Sequence, residues 1–106
     1  MGFVYLIHDE SNDLYKIGVT RNNDNKRIKI LQIGNPSELR IIYIYECEYP
    51  FRLETMLHNK YKNSNVMNEW FILKDKEVIE FIKECNKHND QINILKSNPF
   101  FAKNLK

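Results

Sequence analysis

Two apolar, β-branched runs separated by a polar turn open the chain. The runs cover residues 3–8 and 14–20, and Asp, Glu, Ser and Asn fill the turn between them. The pattern predicts a β-hairpin, which we close with a loop at residues 9–12. In that register Tyr5 faces Lys16, so a phenol and an ammonium lie on the same side of the sheet. A slip by one residue would move Lys16 to the opposite side.

After the hairpin, the sequence predicts a helix, then a strand made of one continuous apolar run, and then a second helix. Polar residues 22–24 can cap a helix of about three turns, and Pro36 follows its end. The apolar run at residues 39–48 predicts a central strand that is covered on both faces. Pro50 suits the first turn of a second helix, whose apolar positions recur every fourth residue.

The rest of the chain predicts a third helix and an apolar tail. Residues 63–65 end the second helix, residues 69–73 form a short apolar segment, and Asp75 can cap the third helix. Pro99 prevents one continuous helix through the tail. We therefore expect an α/β (α+β) fold, in which a small three-stranded, mainly antiparallel sheet is flanked by three or four helices.

Length and composition fit one globular domain. A chain of 106 residues with 42% hydrophobic and 28% charged residues can bury a modest core without disulfides. We expect the domain to span residues 1–88, with an apolar extension at 89–106 that either covers the sheet or contacts a second copy. No secretory pattern opens the chain, and no apolar stretch has the length of about 18 residues that a membrane span needs. We expect a cytoplasmic protein without a membrane partner.

Net charge and cysteine content exclude few functions for this protein. The net charge of +2, from 16 basic and 14 acidic residues, does not establish nucleic-acid binding, so any binding surface must be local. Cys47 and Cys85 form no Cys-x-x-Cys pair, and with His8 and His88 they lack the spacing of metal ligands. We interpret these four residues as structural.

Two groups of side chains could carry chemistry. On the hairpin, Gly18 lies on the same side as Tyr5 and Lys16, and its missing side chain leaves room for the backbone of a ligand. On the second helix, Glu54 and His58 lie four residues apart and share one face. Such a pair can also be a simple surface contact worth about 0.2–0.5 kcal/mol.

Five short motifs follow one another along the chain. They are Phe3-Val4-Tyr5, Tyr15-Lys16-Ile17-Gly18, Arg27 with the Gln-x-Gly-Asn-Pro string at residues 32–36, Glu54 with His58, and Glu-Trp-Phe at residues 69–71. In this order they resemble the GIY-YIG nuclease superfamily, in particular its phage and large-DNA-virus branch. Phe3 stands at the first Gly, and Lys16 replaces the second Tyr. The resemblance spans about residues 2–82 and implies a metal-dependent endonuclease.

The resemblance also implies a role for each site residue. Tyr5 would activate the attacking water, and the positive charges of Lys16 and Arg27 would favour its ionised form. Glu54 would hold Mg²⁺ or Mn²⁺, with water and phosphate oxygens completing the coordination. Arg27 would clamp the scissile phosphate, and His58 would hydrogen-bond the leaving group or a metal-bound water.

The implied partner is nucleic acid, with DNA favoured over RNA and a homodimer allowed. Because the net charge is small, basic residues would have to form a local patch beside the site. The candidate nucleic-acid-binding residues are Gly18, Lys26, Lys29, Arg40 and Asn68, the last as the late Asn that superfamily members use near the site.

Less specific interpretations stay open for the same residues. Strand tyrosines and exposed charged groups are common without catalysis, and Trp70 and Phe71 suit the core unless Trp70 stacks on a base. The chain could be a catalytically inactive nucleic-acid-binding module of the same fold. It could also be a protein-interaction or host-takeover factor that uses an exposed Phe100 and Phe101 patch.

Overall fold

The computed structural model describes residues 1–21 and 38–102, with side chains through residue 100. The strands are β1 (Gly2–Asp9), β2 (Leu14–Thr20), β3 (Leu39–Cys47), β4 (Asn65–Met67) and β5 (Trp70–Phe71). The helices are α1 (Pro50–Lys60), α2 (Asp75–Ile79), α3 (Phe81–Lys96) and the single turn α4 (Pro99–Ala102), with a 3₁₀ turn at Lys62–Ser64. The predicted helix after residues 22–24 lies outside the described residues.

Within the described ranges, five strands form one antiparallel sheet in the order β3-β1-β2-β5-β4. The α+β class is confirmed, but the predicted three-stranded sheet is wrong because a short β4–β5 hairpin extends it beyond β2. The turn of that hairpin depends on Asn68, whose φ of 50° is a conformation that Asn tolerates. The Asn65 side chain holds the turn by donating hydrogen bonds to the carbonyl oxygens of Asn68 (2.8 Å) and Trp70 (3.1 Å).

The predicted central position of β3 is also wrong. Among the described strands β3 pairs with β1 alone, and β1 and β2 occupy the interior of the sheet. The predicted cover on both faces of β3 is nevertheless present, and it accounts for the long apolar run. Tyr43 stacks on Phe81 of α3, with 6.1 Å between ring centroids, while Ile44 packs on the opposite side of the sheet.

The loop of the first hairpin differs from the prediction because Asp9 belongs to β1. Its buried carboxylate accepts hydrogen bonds from the backbone N–H groups of Ser11 (3.1 Å) and Asn12 (3.3 Å), which fixes the turn from inside the strand end. Asp13 takes a left-handed φ of 54° before β2 begins. The loop therefore covers residues 10–13 rather than 9–12.

This loop shifts the strand register by two residues. Tyr5 pairs with Gly18, and Ile7 pairs with Lys16, where the prediction paired Tyr5 with Lys16. A shift of two residues keeps every side chain on its predicted side, because side chains alternate with a period of two. Tyr5, Lys16 and Gly18 therefore share one side of the sheet as predicted, with Lys16 diagonal to Tyr5.

The two sides of the sheet pack against different clusters. The larger core lies between the sheet and the helices, where fully buried residues of α1 and α3 meet Val4, Leu6 and Ile17. The helix residues buried there are Leu53, Leu57, Phe81, Cys85 and Ile92. A smaller cluster on the other side contains Tyr5, Ile7 and Leu39, with Ile44 and Trp70 packed against it. Tyr5 therefore belongs to the smaller of two cores.

The C-terminal helices differ from the single third helix of the prediction. The chain breaks at Glu80 between α2 and α3, and α3 then continues to Lys96, across the predicted domain boundary after residue 88. Ile92, beyond that boundary, is fully buried in the larger core. In the tail, Phe100 is 67% exposed. No helix in the described part of the chain has the length and apolar character to cross a membrane.

Both cysteines are free and buried, in accord with their structural interpretation. Burial raises the pKa of the Cys85 thiol to about 12, and the neighbouring Cys47 and Glu84 groups add to the rise. Because the thiolate is the reactive species, we expect neither cysteine to react with Ellman's reagent at pH 8 in the native protein. Labelling should be about 100-fold or more faster in concentrated urea. Rapid reaction of one thiol in the native state would contradict this packing.

Candidate active site

Two carboxyl groups and an imidazole meet beside β2, at the point where β5 begins. Glu54 and His58 lie one turn apart on α1, as their spacing predicts, and Glu69 directly precedes β5. One potential ligand atom from each residue lies within 4.8 Å of the other two, and all three residues are half-buried. The site thus joins a helix to a strand end through side chains from distant parts of the chain.

Backbone groups of β2 hold this cluster in place. The N–H of Ile17 donates to the carbonyl oxygen of Glu69 at 3.1 Å, and Nε2 of His58 lies 2.9 Å from the carbonyl oxygen of Ile17. A carbonyl oxygen only accepts, so Nε2 of His58 is the protonated nitrogen and donates. The other ring nitrogen, Nδ1, then keeps its lone pair in the neutral ring. An edge contact with Phe71, at 5.0 Å between centroids, fixes the ring further.

Lys16 is joined to the cluster through Glu69. Its side chain is buried, and its ammonium group forms a salt bridge with the Glu69 carboxylate. The ammonium also lies 5.7 Å from the centroid of the Trp70 ring. A buried ammonium needs such a partner, because an unpaired charge at this depth would cost several kcal/mol. Sequence reasoning used Glu69 only as a motif residue and missed its place in the site, although a lysine on a largely apolar strand signals a hidden carboxylate.

The surroundings of Glu69 change its acidity. Burial opposes its ionisation, but the hydrogen bond and charge of Lys16, a hydrogen bond from Glu54 and the nearby His58 together hold its pKa below the ordinary 4.5. A lowered pKa means that the ionised form stabilises the fold at neutral pH.

The lowered pKa of Glu69 predicts how the free energy of unfolding depends on pH. The contribution of Glu69 is complete above its unfolded-state pKa of 4.5 and is lost as the pH falls through the lower folded-state value. We therefore expect the free energy of unfolding of the wild type to fall more steeply below pH 4.5 than that of Glu69→Gln. Urea unfolding at a series of pH values measures both slopes, and equal slopes would rule out this role.

Tyr5 lies against Gly18 on the side of the sheet that carries Lys16. The Tyr5 residue is only 3% exposed and contributes to the smaller core, so any chemistry must belong to its hydroxyl group. A Cβ atom built on Gly18 would overlap the Tyr5 hydroxyl and ring. The open space that the sequence assigned to the backbone of a ligand above Gly18 is therefore filled by the Tyr5 side chain.

A model of the T5orf172 domain matches residues 2–86 of the chain. The chain belongs to the T5orf172 domain family. This is a phage-associated, nuclease-related domain. Neither the curated proteins nor the solved structures contain a significant match. The matched range includes the Glu54, His58 and Glu69 cluster together with Tyr5 and Lys16, and it ends within α3.

Of the remaining predicted residues of this T5orf172 domain, the structure describes Arg40 and Asn68. Arg40 lies opposite His8 near the hairpin loop, and its Nε donates to Glu10 at 2.8 Å. Asn68 occupies the exposed β4–β5 turn directly before Glu69. Lys26, Arg27 and Lys29 lie outside the described residues. Of the predicted basic patch, only Arg40 can be placed, and it is already paired with a carboxylate.

Proposed function

We propose that this T5orf172 domain is a GIY-YIG-type endonuclease that uses a divalent cation to hydrolyse phosphodiester bonds of DNA. The observation that supports the proposal is one connected polar network, which runs from Lys16 through Glu69 to Glu54 and His58. Titratable groups held together at half-buried positions are typical of functional sites. Membership of a nuclease-related family supports phosphoryl chemistry over other reactions at such a site.

The donor set of the site fits a divalent cation. Two carboxyl groups and an imidazole are ligands that Mg²⁺ or Mn²⁺ accepts in proteins, and Glu54 is the residue we assign to the ion. When bound, such an ion polarises a phosphate oxygen and lowers the pKa of coordinated water.

The chain's own residues supply the remaining steps of the proposed mechanism. The Tyr5 hydroxyl, in its ionised form, takes a proton from the attacking water, and the ammonium of Lys16 on the same side favours that form. His58 donates a hydrogen bond to the oxygen that leaves phosphorus, which requires a proton on Nδ1 because Nε2–H is already donated to the Ile17 carbonyl oxygen. Arg27 clamps the phosphate, as the resemblance to GIY-YIG nucleases implies. In this mechanism Arg27 and the ion would both supply positive charge to the phosphate oxygens.

The substrate in this proposal is DNA, which would bind through a local surface because the net charge is only +2. A single site cuts one strand, so a double-strand break needs a homodimer or two successive events. The test is incubation of the intact chain with supercoiled plasmid, single-stranded DNA and RNA, in Mg²⁺ or Mn²⁺ and with or without a chelator. We expect nicking of plasmid that the chelator abolishes. Retarded but uncut DNA under all these conditions would instead indicate an inactive binding module.

A further inference from the structure

We propose that Glu54, His58 and Glu69 together form one three-ligand site that takes a first-row transition-metal ion in preference to Mg²⁺. This inference rests on the proposed metal-dependent function and revises one part of it: Glu54 is no longer the sole ligand, and His58 binds the ion instead of the leaving oxygen. Its central test measures metal binding directly, so it does not depend on whether the protein cuts DNA.

The three potential ligands are brought together by parts of the fold that are independently fixed. Buried Leu53 and Leu57 anchor α1 in the larger core, and Glu69 is held through its backbone by β2. The ligand atoms lie within 4.8 Å of one another. Ligands on opposite sides of one ion are about 4.2 Å apart when each bond is about 2.1 Å, so small side-chain rotations close the site.

His58 has the hydrogen bond that metal-binding histidines commonly make. Its Nε2–H donates to the carbonyl oxygen of Ile17 at 2.9 Å, which fixes the tautomer and leaves Nδ1 as the ligand atom. This contact comes from the backbone of β2 and is independent of the two carboxyl groups. A hydrogen bond to the leaving oxygen would need a proton on Nδ1, and an ion bound at Nδ1 would use the same lone pair, so these two roles of His58 are mutually exclusive.

The two carboxyl groups provide a second argument for a cation. Carboxylate oxygens of Glu54 and Glu69 lie within 4.8 Å of each other, and carboxyl groups this close must share a proton or a positive charge between them. In the structure the ammonium of Lys16 supplies positive charge to Glu69. A divalent ion would supply more positive charge to both carboxyl groups. Because the ammonium of Lys16 repels such an ion, Lys16 should weaken metal binding.

The mixed donor set decides which ion is preferred. Mg²⁺ favours oxygen ligands and keeps several of its waters, whereas an imidazole nitrogen favours transition metals. The usual affinity order places Co²⁺ and Zn²⁺ above Mn²⁺. Of the two ions in the proposed function, this site therefore selects Mn²⁺ over Mg²⁺.

Cobalt is the probe for the test, because its visible absorption reports nitrogen and oxygen ligation. The intact chain is titrated with Co²⁺ at pH 7.5, and Mn²⁺ and Mg²⁺ are then added as competitors. We expect one ion per chain, displacement by Mn²⁺ and little displacement by Mg²⁺. Both Glu69→Gln and His58→Gln should weaken Co²⁺ binding about tenfold or more. Lys16→Met should tighten binding by up to about tenfold, since one neighbouring positive charge is worth on the order of one pKa unit.

Glu46→Gln is the matched control, because Glu46 is an exposed carboxylate on β3. Thermal unfolding of each apo variant shows that it is folded. Unchanged affinity in Glu69→Gln and His58→Gln, with equal competition by Mg²⁺ and Mn²⁺, would overturn the three-ligand site and leave a Glu54-only metal site intact. Specific Co²⁺ binding without any DNA cleavage would instead overturn the proposed function alone. A wild type that binds no ion would overturn both.

Discussion

Glu54→Gln is expected to lower the rate of DNA nicking by about 100-fold or more, the range found when an electrostatic group of an active site is removed. Glutamine keeps the size of the side chain and its capacity to hydrogen-bond, but it has no charge with which to hold a divalent cation. The measurement is the initial nicking rate of supercoiled plasmid at saturating Mn²⁺. A band-shift assay should show retained DNA binding, because the cation acts on the reacting phosphate rather than on the whole duplex.

The same substitution at a carboxylate elsewhere in the fold distinguishes a loss of catalysis from a general effect of removing one negative charge. Glu46→Gln alters the net charge equally but lies on β3, away from the cluster, and should nick plasmid at the wild-type rate. Thermal unfolding should place both variants within about 4 °C of the wild type, corresponding to a change below about 1 kcal/mol. Nicking by Glu54→Gln at a rate within threefold of wild type would remove Glu54 from the mechanism.

Local sequence patterns predicted the parts of the fold that depend on short-range geometry. The period of two along β1 and β2 placed Tyr5 and Lys16 on the same side even though the register was wrong. Helical spacing likewise placed Glu54 and His58 on one face of α1. These relations survive small errors in the position of a turn, because they depend on periodicity rather than on loop length.

Features that depend on single side-chain contacts were not predictable in this way. The hairpin register follows from the hydrogen bonds that the Asp9 carboxylate accepts, and a turn pattern alone does not show which Asp starts the loop. The strands β4 and β5 contain three and two residues, too few to show a period. The position of Glu69 depends on a partner 53 residues away, Lys16, which no local pattern reveals. The site could therefore be predicted as Glu54 with His58, but not as the larger network.

Because Tyr5 is buried, substitutions at this position affect stability as well as any catalytic role. A side chain that is 3% exposed and packed among apolar neighbours contributes to stability whether or not it acts in catalysis. Loss of activity in a Tyr5 variant would therefore be ambiguous unless folding is measured alongside. The contact between Tyr5 and Gly18 allows the structural contribution to be measured by itself.

Gly18→Ala is expected to lower the free energy of unfolding by about 1–3 kcal/mol, the usual cost of inserting atoms into a closely packed region. None of the described glycines has a positive φ, so Gly18 is required for space rather than for an unusual backbone conformation. The added methyl would overlap the ring and hydroxyl of Tyr5. Alanine restricts the unfolded chain more than glycine, which offsets about 0.4–1 kcal/mol of this cost. Urea unfolding followed by circular dichroism measures the net change.

A double-mutant cycle shows whether Tyr5 is the cause of this loss. Tyr5→Ala alone should cost about 3 kcal/mol or more, because it removes a buried aromatic ring. In that background Gly18→Ala has no ring to meet, and we expect it to be neutral or slightly stabilising. The two substitutions should then couple by about 1–3 kcal/mol, well beyond the additivity of independent sites. Additive losses would mean that alanine at position 18 disturbs the sheet by a route other than the Tyr5 side chain, and would contradict the contact between Tyr5 and Gly18.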